Sequence, residues 1–201
     1  AGSRCRIRCW MSDVCSSDLL SLPVAEAALE AVKAANAAGT RVSIDLNYRK
    51  KLWNYGKKAP EVMRGLAAHA DILVANEEDV QMCLGIEPEH VDVTKGKLGT
   101  EQYRGLAEKV KHEFPNVKVV AITLRESRSA DRNGWSGVLH GTSGFHVSKA
   151  YDIDDIIDRV GGGDSFSAAL IYGTLNFPGD EAKALEFAVA ASALKDRKSV
   201  V

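Results

Sequence analysis

Helix-type and strand-type patterns alternate along most of this chain, and that alternation constrains its fold more than any other feature. Predicted helices are each followed by a short apolar strand, the helices at 24–38, 57–70 and 100–114 and the strands at 41–46, 71–75 and 117–124. Strands connected through helices form right-handed crossovers, which place the strands side by side and parallel. The sequence therefore predicts an α/β domain with a mostly parallel sheet covered by helices on both faces.

The rest of the chain adds a short helix, two antiparallel strands and two closing helices. Asn76 is expected to cap the short helix at 77–84, because its side chain suits an N-cap. The strands are predicted at 135–139 and 145–148, and the last helices at 163–175 and 180–195. In parallel sheets, ligands collect where the strands end. That rule gathers the polar segments 45–49 and 76–79, together with Arg125, at one edge of the sheet.

Composition favours an ordinary globular protein and excludes some partners. Of 201 residues, 45% are hydrophobic and 26% charged, and the formal net charge is −1. A nucleic-acid or anionic membrane partner would favour a clustered basic excess, so neither is expected. No apolar run approaches the roughly 20 residues that span a bilayer, and no leader-type pattern opens the chain. A cytoplasmic protein is the resulting expectation.

The two ends do not follow the pattern of the body. Residues 1–18 lack helical or strand periodicity, and Cys5, Cys9 and Cys15 lack a partner cluster at zinc spacing. We interpret 1–18 and the tail 197–201 as foreign sequence, which leaves 19–196 as the folding unit.

A glycine-rich turn with one acid stands at the mouth of a predicted helix. Gly161, Gly162 and Gly163 allow backbone N–H groups to converge on an anion, and the first turn of the helix adds unsatisfied donors. The next residue, Asp164, is a poor phosphate ligand because like charges repel, but it suits the removal of a proton from an attacking hydroxyl. A plain strand-to-helix turn with a first-turn acid remains the alternative.

Four segments resemble the ribokinase-like (PfkB) carbohydrate kinases, in the order found in that family. The segment 158–164 resembles its Asp-Thr-Thr-Gly-Ala-Gly-Asp element, and 45–53 is similar to the Asp-x-Asn-x-Arg…Leu-Trp segment of its 2-keto-3-deoxygluconate kinases. The segment 76–79 resembles its Asn-x-x-Glu element, with Asp in the last position, and 123–126 resembles the strand end that contacts nucleotide phosphates. The resemblance implies a ribokinase-like three-layer αβα sandwich, here incomplete because the N-terminal strands and lid are missing.

The resemblance also implies roles in ATP-dependent phosphoryl transfer. Asp164 would be the general base, and the amides of Gly161, Gly162 and Gly163 would form an anion hole for the transferred group.

Nucleotide and cation roles follow from the same resemblance. Arg125 would hold the β- and γ-phosphates of ATP, with a solvated loop cation as the alternative. Asn76 and Asp79 would act on Mg²⁺ and the phosphates through water, although helix capping explains both residues equally well. Asp158 matches a position associated with a monovalent cation, but Arg159-Val160 replaces the family's Thr pair, so dependence on K⁺ stays open.

The substrate hypothesis depends mainly on Arg49. A guanidinium can hold a carboxylate through two parallel hydrogen bonds, and a keto-acid sugar offers a carboxylate whereas a neutral hexose does not. Asp45, Asn47 and Arg49 are therefore predicted to bind a sugar acid, most specifically 2-keto-3-deoxygluconate. A neutral-sugar or nucleoside kinase of the same fold, and a catalytically inactive fragment, remain alternatives.

The resemblance also indicates missing parts. The family's chains are expected to be half again as long, with an N-terminal lid that often pairs two subunits, so a homo-oligomeric parent is expected. Without the N-terminal strands, Val42, Ile44, Leu73 and Val119 are predicted to be poorly covered beside an open sheet edge. Residues 19–196 alone are therefore expected to aggregate or unfold with weak cooperativity, and to show no phosphoryl transfer.

Overall fold

The computed structural model describes residues 21–88, 99–127, 132–154 and 160–197. The interpreted foreign segment 1–18, the residue Asp158 and the tail beyond Arg197 lie outside these ranges. No helix in the described ranges is long and apolar enough to cross a membrane.

Helices and strands occur in the predicted order, with boundaries shifted by a few residues. The helices are α1 Leu22–Ala37, α2 Ala59–Ala67, α3 Glu77–Leu84, α4 Thr100–Glu113, α5 Gly162–Asn176 and α6 Glu181–Arg197. The strands are β1 Ser43–Asp45, β2 Ile72–Ala75, β3 Val119–Ser127, β4 Arg132–His140, β5 Phe145–Val147 and β6 Tyr151–Asp154. A short 3₁₀ turn at Lys50–Leu52 and strand β6 were not predicted.

The sheet changes from parallel to antiparallel at β3. Strands β1, β2 and β3 are parallel neighbours, as the helical crossovers require. Strand β4 runs antiparallel to β3, and β5 and β6 both pair with the other edge of β4. Val138 lies opposite Val147 and Trp135 opposite Tyr151, so one extra residue separates β5 from β6. This is the geometry of a β-bulge, and it makes β5 and β6 one interrupted strand.

Two hydrophobic cores lie on opposite faces of this sheet. On one face, residues of α1 to α4 pack with Ile44, Leu73 and Ile122. On the other, residues of α5 and α6 pack with Val74 and Trp135. All four residues of β2 are buried because a central parallel strand is covered on both sides. The described structure is therefore the predicted three-layer αβα arrangement.

The prediction of poorly covered core residues was wrong. Val42, Ile44, Leu73 and Val119 are only 3%, 0%, 1% and 7% exposed. The first three pack beneath α1 to α4, and Val119 packs beneath α5 and α6, so the helices on each face cover them without further strands. Strand β1 does stand at the end of the described sheet. The expected loss of phosphoryl transfer stays a prediction, but exposure of these four residues no longer argues for poor folding.

Glu181, the first residue of α6, joins this helix to the turn between β4 and β5. Its carboxylate accepts hydrogen bonds from the backbone N–H and the hydroxyl of both Thr142 and Ser143, the Thr142 donors and the Ser143 amide each at 2.8 Å. Burial alone would raise the pKa of Glu181, but these hydrogen bonds outweigh it and lower the pKa to about 2. The carboxylate is therefore ionised wherever the protein is folded at ordinary pH.

Candidate active site

Three polar segments meet at the carboxyl ends of β1 and β2, where the sequence predicted two of them, 45–49 and 76–79, together with Arg125. They are 45–49 after β1, 76–79 after β2 and the glycine-rich turn 160–164 at the start of α5. Together they border a cavity of about 630 Å³. The lining also includes Val74, Ala75, Thr123, Arg125 and Trp135.

The glycine-rich turn places the amino terminus of α5 against this cavity. Gly161 is the N-cap and has a φ of 81°, a left-handed conformation that other residues rarely adopt. A Cβ on Gly162 would lie 2.9 Å from Asp196 Oδ1, so α6 packs directly against the backbone of the turn. Ser192 on α6 also donates to the Gly162 carbonyl at 2.7 Å. The backbone N–H groups of the first turn of α5 have no carbonyl four residues earlier in the helix, which leaves them suited to an anion.

Asp164 lies in the first turn of α5 and lines the same cavity. Its negative charge is close enough to Asp45 to raise the pKa of that residue. The structure thus brings together the predicted base and the predicted anion hole. The base role itself stays a prediction.

Asp45, the last residue of β1, lies beside α5. Ser167 Oγ, one helical turn beyond Asp164, donates to Asp45 Oδ2 at 3.2 Å. Burial raises the pKa of Asp45 to about 7, and the nearby negative charges of Asp79 and Asp164 add to the rise. Hydrogen bonds from Ser167 and from the Asn47 amide oppose it. Sequence reasoning placed Asp45 at the substrate but missed Ser167, because nothing in the local sequence links residues 122 positions apart.

Asn47 and Arg49 lie on the short loop that follows β1. Asn47 has a φ of 28°, and it is the one residue other than glycine with positive φ in the described ranges. This conformation is strained for a side chain with a Cβ, although Asn tolerates it better than most residues. The Arg49 guanidinium is exposed, lines the cavity and approaches the Tyr48 carbonyl at 3.4 Å. The guanidinium is therefore available to a negatively charged group in the cavity.

Asn76 and Asp79 form a capping box at the start of α3. Asn76 Oδ1 accepts from the Asp79 amide at 2.8 Å, and Asp79 Oδ2 accepts from the Asn76 amide at 3.2 Å. The other carboxylate oxygen of Asp79, Oδ1, accepts a hydrogen bond from the Tyr48 amide at 2.7 Å. Burial raises the pKa of Asp79, against the effect of these amides and of the Arg49 charge. The capping role that the sequence allowed is present, and Tyr48 is a partner that it did not indicate.

Arg125 lies inside β3 and not beyond its end, because β3 continues to Ser127 through its pairing with β4. Trp135 is its partner across the ladder, and the Arg125 guanidinium carbon lies 5.2 Å from the centre of the Trp135 ring. This cation–π contact holds an exposed charge at the wall of the cavity. Arg125 is therefore presented to the cavity on a strand and not on a loop.

Carboxylates line the cavity, but they do not form a cluster that would hold a metal ion by itself in the described residues. No group of three or more His, Cys, Asp or Glu side chains is arranged to hold a metal in the described part of the chain. Mg²⁺ commonly binds through phosphate oxygens, water and one or two carboxylates, and Asp164, Glu77 and Glu78 line the cavity. Asp158, the predicted monovalent-cation residue, lies outside the described ranges.

Comparison with known proteins identifies relatives of this chain. Residues 11–199 match the profile of the family described as "pfkB family carbohydrate kinase". A 2-dehydro-3-deoxygluconokinase from Thermotoga maritima has a crystal structure similar to this fold, with 42% identity and a TM-score of 0.76, over 89% of this chain and 52% of that one.

Two curated proteins show the range of substrates among the relatives. The 2-dehydro-3-deoxygalactonokinase of Haloferax volcanii is 29% identical over 88% of this chain and 48% of its own length. Fructokinase-2 of Solanum lycopersicum is 27% identical over 78% of this chain and 40% of its own length. The chain thus spans about half the length of the proteins that it matches, so the expectation of relatives half again as long was too small.

Proposed function

The chain belongs to the pfkB family of carbohydrate kinases, and we propose that it transfers the γ-phosphoryl group of ATP to a hydroxyl of a sugar acid, 2-keto-3-deoxygluconate, to give the 6-phosphate. The observation that carries this proposal is the placement of Arg49 and of the Gly161–Asp164 turn on one cavity. Arg49 would then bind the carboxylate at one end of the sugar acid. The glycine-rich turn would bind the phosphoryl group that is transferred to the hydroxyl at the other end.

In the proposed reaction, the sugar hydroxyl attacks the γ-phosphorus of ATP. A new O–P bond forms, the bond to the β–γ bridging oxygen breaks, and ADP leaves with that oxygen. Asp164 takes the hydroxyl proton as the attack proceeds. The amides of Gly161, Gly162 and Gly163 stabilise the charge on the transferred group, which is where most of the catalytic effect in phosphoryl transfer arises.

Other cavity residues would bind the nucleotide. Arg125 lies at the wall of the cavity and would contact the β- and γ-phosphates, and Asn76 would contact them from the start of α3. Mg²⁺ would supply charge neutralisation on the phosphates, held by the nucleotide, water and cavity carboxylates. Dependence on K⁺ through Asp158 remains an open part of the proposal.

A neutral sugar is the second candidate substrate. The fructokinase relatives favour it, whereas the relative with 42% identity favours a sugar acid. Arg49 separates the two physically, because its exposed guanidinium can form charge-assisted hydrogen bonds with the carboxylate of a sugar acid, and a neutral sugar offers no such partner. We also propose that the protein is cytoplasmic, which cell fractionation would test. We further propose that it self-associates, which light scattering would test.

The deciding experiment measures ADP release with a panel of sugars at fixed ATP and Mg²⁺. It should use the complete gene product that contains this chain, with the 201-residue chain beside it. The panel contains 2-keto-3-deoxygluconate, fructose, ribose and a nucleoside. Turnover with a kcat/KM at least tenfold higher for the sugar acid supports the proposal. Preference for fructose, ribose or the nucleoside would replace its substrate, and no turnover of any compound would reject kinase activity.

A further inference from the structure

Asp79 connects two segments of the cavity that are far apart in sequence. Its two carboxylate oxygens accept hydrogen bonds from the amides of Asn76 and Tyr48, the latter 31 residues away and at 2.7 Å. The contact is possible because β1 and β2 are adjacent and parallel, so that the chain leaves both strands at the same edge. Asp79 therefore joins the loop after β1 to the first turn of α3.

The loop held in this way carries two of the three side chains predicted to bind the sugar, Asn47 and Arg49. Tyr48 stands between Asn47, whose φ of 28° is strained, and Arg49. A strained residue keeps its conformation only when neighbouring contacts fix it. The hydrogen bond to the Tyr48 amide is such a contact, and it acts one residue away from each of the two side chains.

The surroundings of Asp79 suit this task better than direct contact with a metal. The residue is 7% exposed, and each of its oxygens already accepts an amide hydrogen bond. Burial raises the pKa of Asp79 on balance, and the two amides and the Arg49 charge oppose that rise by stabilising the ionised carboxylate.

We propose that Asp79 is a positioning residue that sets the place of Asn47 and Arg49 in the cavity through the Tyr48 backbone. This inference depends on the proposed function for its kinetic consequence, because the loop matters to catalysis only if it binds the sugar. Loss of the tether lets the loop relax, and a shift of about 1 Å in a binding group can cost on the order of 100-fold.

The test compares Asp79→Ala and Asp79→Asn with Glu61→Ala in the complete gene product. Asn keeps the size of Asp but turns one N–H donor toward the amides, so it removes one hydrogen bond without opening a cavity. Glu61 is the matched control, since its carboxylate accepts the Lys58 amide at 2.6 Å at the start of α2, away from the cavity lining. The measurements are KM for the sugar, KM for ATP, the half-saturating Mg²⁺ concentration and hydrogen exchange of the Tyr48 amide.

Both Asp79 variants should raise KM for the sugar at least tenfold and speed Tyr48 exchange, with KM for ATP and the Mg²⁺ requirement within twofold of the parent. Glu61→Ala should change neither the sugar KM nor Tyr48 exchange. A parallel rise in the Mg²⁺ requirement, or a sugar KM that stays constant while Tyr48 exchanges faster, would overturn the positioning role. If no sugar is turned over, the proposed function fails. Hydrogen exchange of the Tyr48 amide can be measured without enzyme activity, and unchanged exchange in the Asp79 variants would refute the positioning contact itself.

Discussion

Replacing Glu181 by Gln should weaken the attachment of α6 to the β4–β5 turn, and the effect should disappear as the pH falls. Glu181 is 12% exposed and accepts hydrogen bonds from Thr142 and Ser143. Its pKa is lowered from 4.5 to about 2, and each unit is worth about 1.4 kcal/mol, so ionised Glu181 contributes about 3 kcal/mol at pH 7. Gln keeps one acceptor oxygen, but its NH₂ group replaces the second one. The N–H and O–H groups that donated to that second oxygen would then face another donor.

The sign of the pH dependence follows from the direction of the shift. A carboxylate whose folded pKa is depressed stabilises the protein above its unfolded pKa, and that stability is lost as the pH falls through the folded pKa. The difference in unfolding free energy between the parent and Glu181→Gln should therefore be full at pH 7, begin to shrink near pH 4.5 and fall to about 1 kcal/mol by pH 3.

The assay is urea unfolding of the 201-residue chain, followed by tryptophan fluorescence. With a slope of about 2 kcal/mol per molar, the midpoint at pH 7 should fall by about 1.5 M. The matched control is Glu186→Gln on the same helix, where one carboxylate oxygen accepts a single amide hydrogen bond from Lys149 at 2.8 Å. That variant should cost less than about 1 kcal/mol. Equal midpoints for the two variants, or a Glu181→Gln effect that is as large at pH 3 as at pH 7, would refute the reasoning.

Three further substitutions test the proposed chemistry and the packing of α5. Asp164→Asn should lower kcat by about 10²–10⁴-fold with little change in ATP affinity by calorimetry, and a variant above a tenth of the parental rate would remove Asp164 from the base role. Arg49→Leu should raise KM for 2-keto-3-deoxygluconate at least about tenfold at constant KM for ATP, whereas weaker ATP binding would assign Arg49 to the phosphate site. Gly173→Ala should cost about 1–3 kcal/mol, measured as a lower melting temperature, because its Cβ would lie 2.9 Å from Ala184 Cα. An unchanged melting temperature would show that α5 and α6 can move apart at Gly173 without loss of stability.

The parts of the structure that sequence reasoning predicted are those with a local signal. The Asn76 cap, the glycine-rich turn at the start of α5 and the apolar run of β2 each follow from a few consecutive residues. Their arrangement at one sheet edge follows from the rule that parallel strands end together. Strand β6 was missed because it is short and acidic, with Ile153 as its buried residue.

The contacts between distant segments had no such signal. Ser167 with Asp45 and Tyr48 with Asp79 join residues 122 and 31 positions apart, and one partner in the second pair is a backbone amide that any residue would supply. For the same reason the sequence did not show that α1 to α4 cover Val42, Ile44 and Leu73 without the expected extra strands. Burial is a property of the assembled layers, and a single strand does not encode it.

The support that α6 gives to the glycine-rich turn has a consequence for genetics. Ser192 is fully buried, and its hydroxyl holds the Gly162 carbonyl from the side of the turn away from the cavity. A substitution there changes no group that a substrate would touch, yet it alters the backbone whose amides would face the phosphate. A screen for loss-of-function alleles should therefore recover changes on the buried side of α6, and such alleles would be misread as folding defects unless protein abundance were measured beside activity.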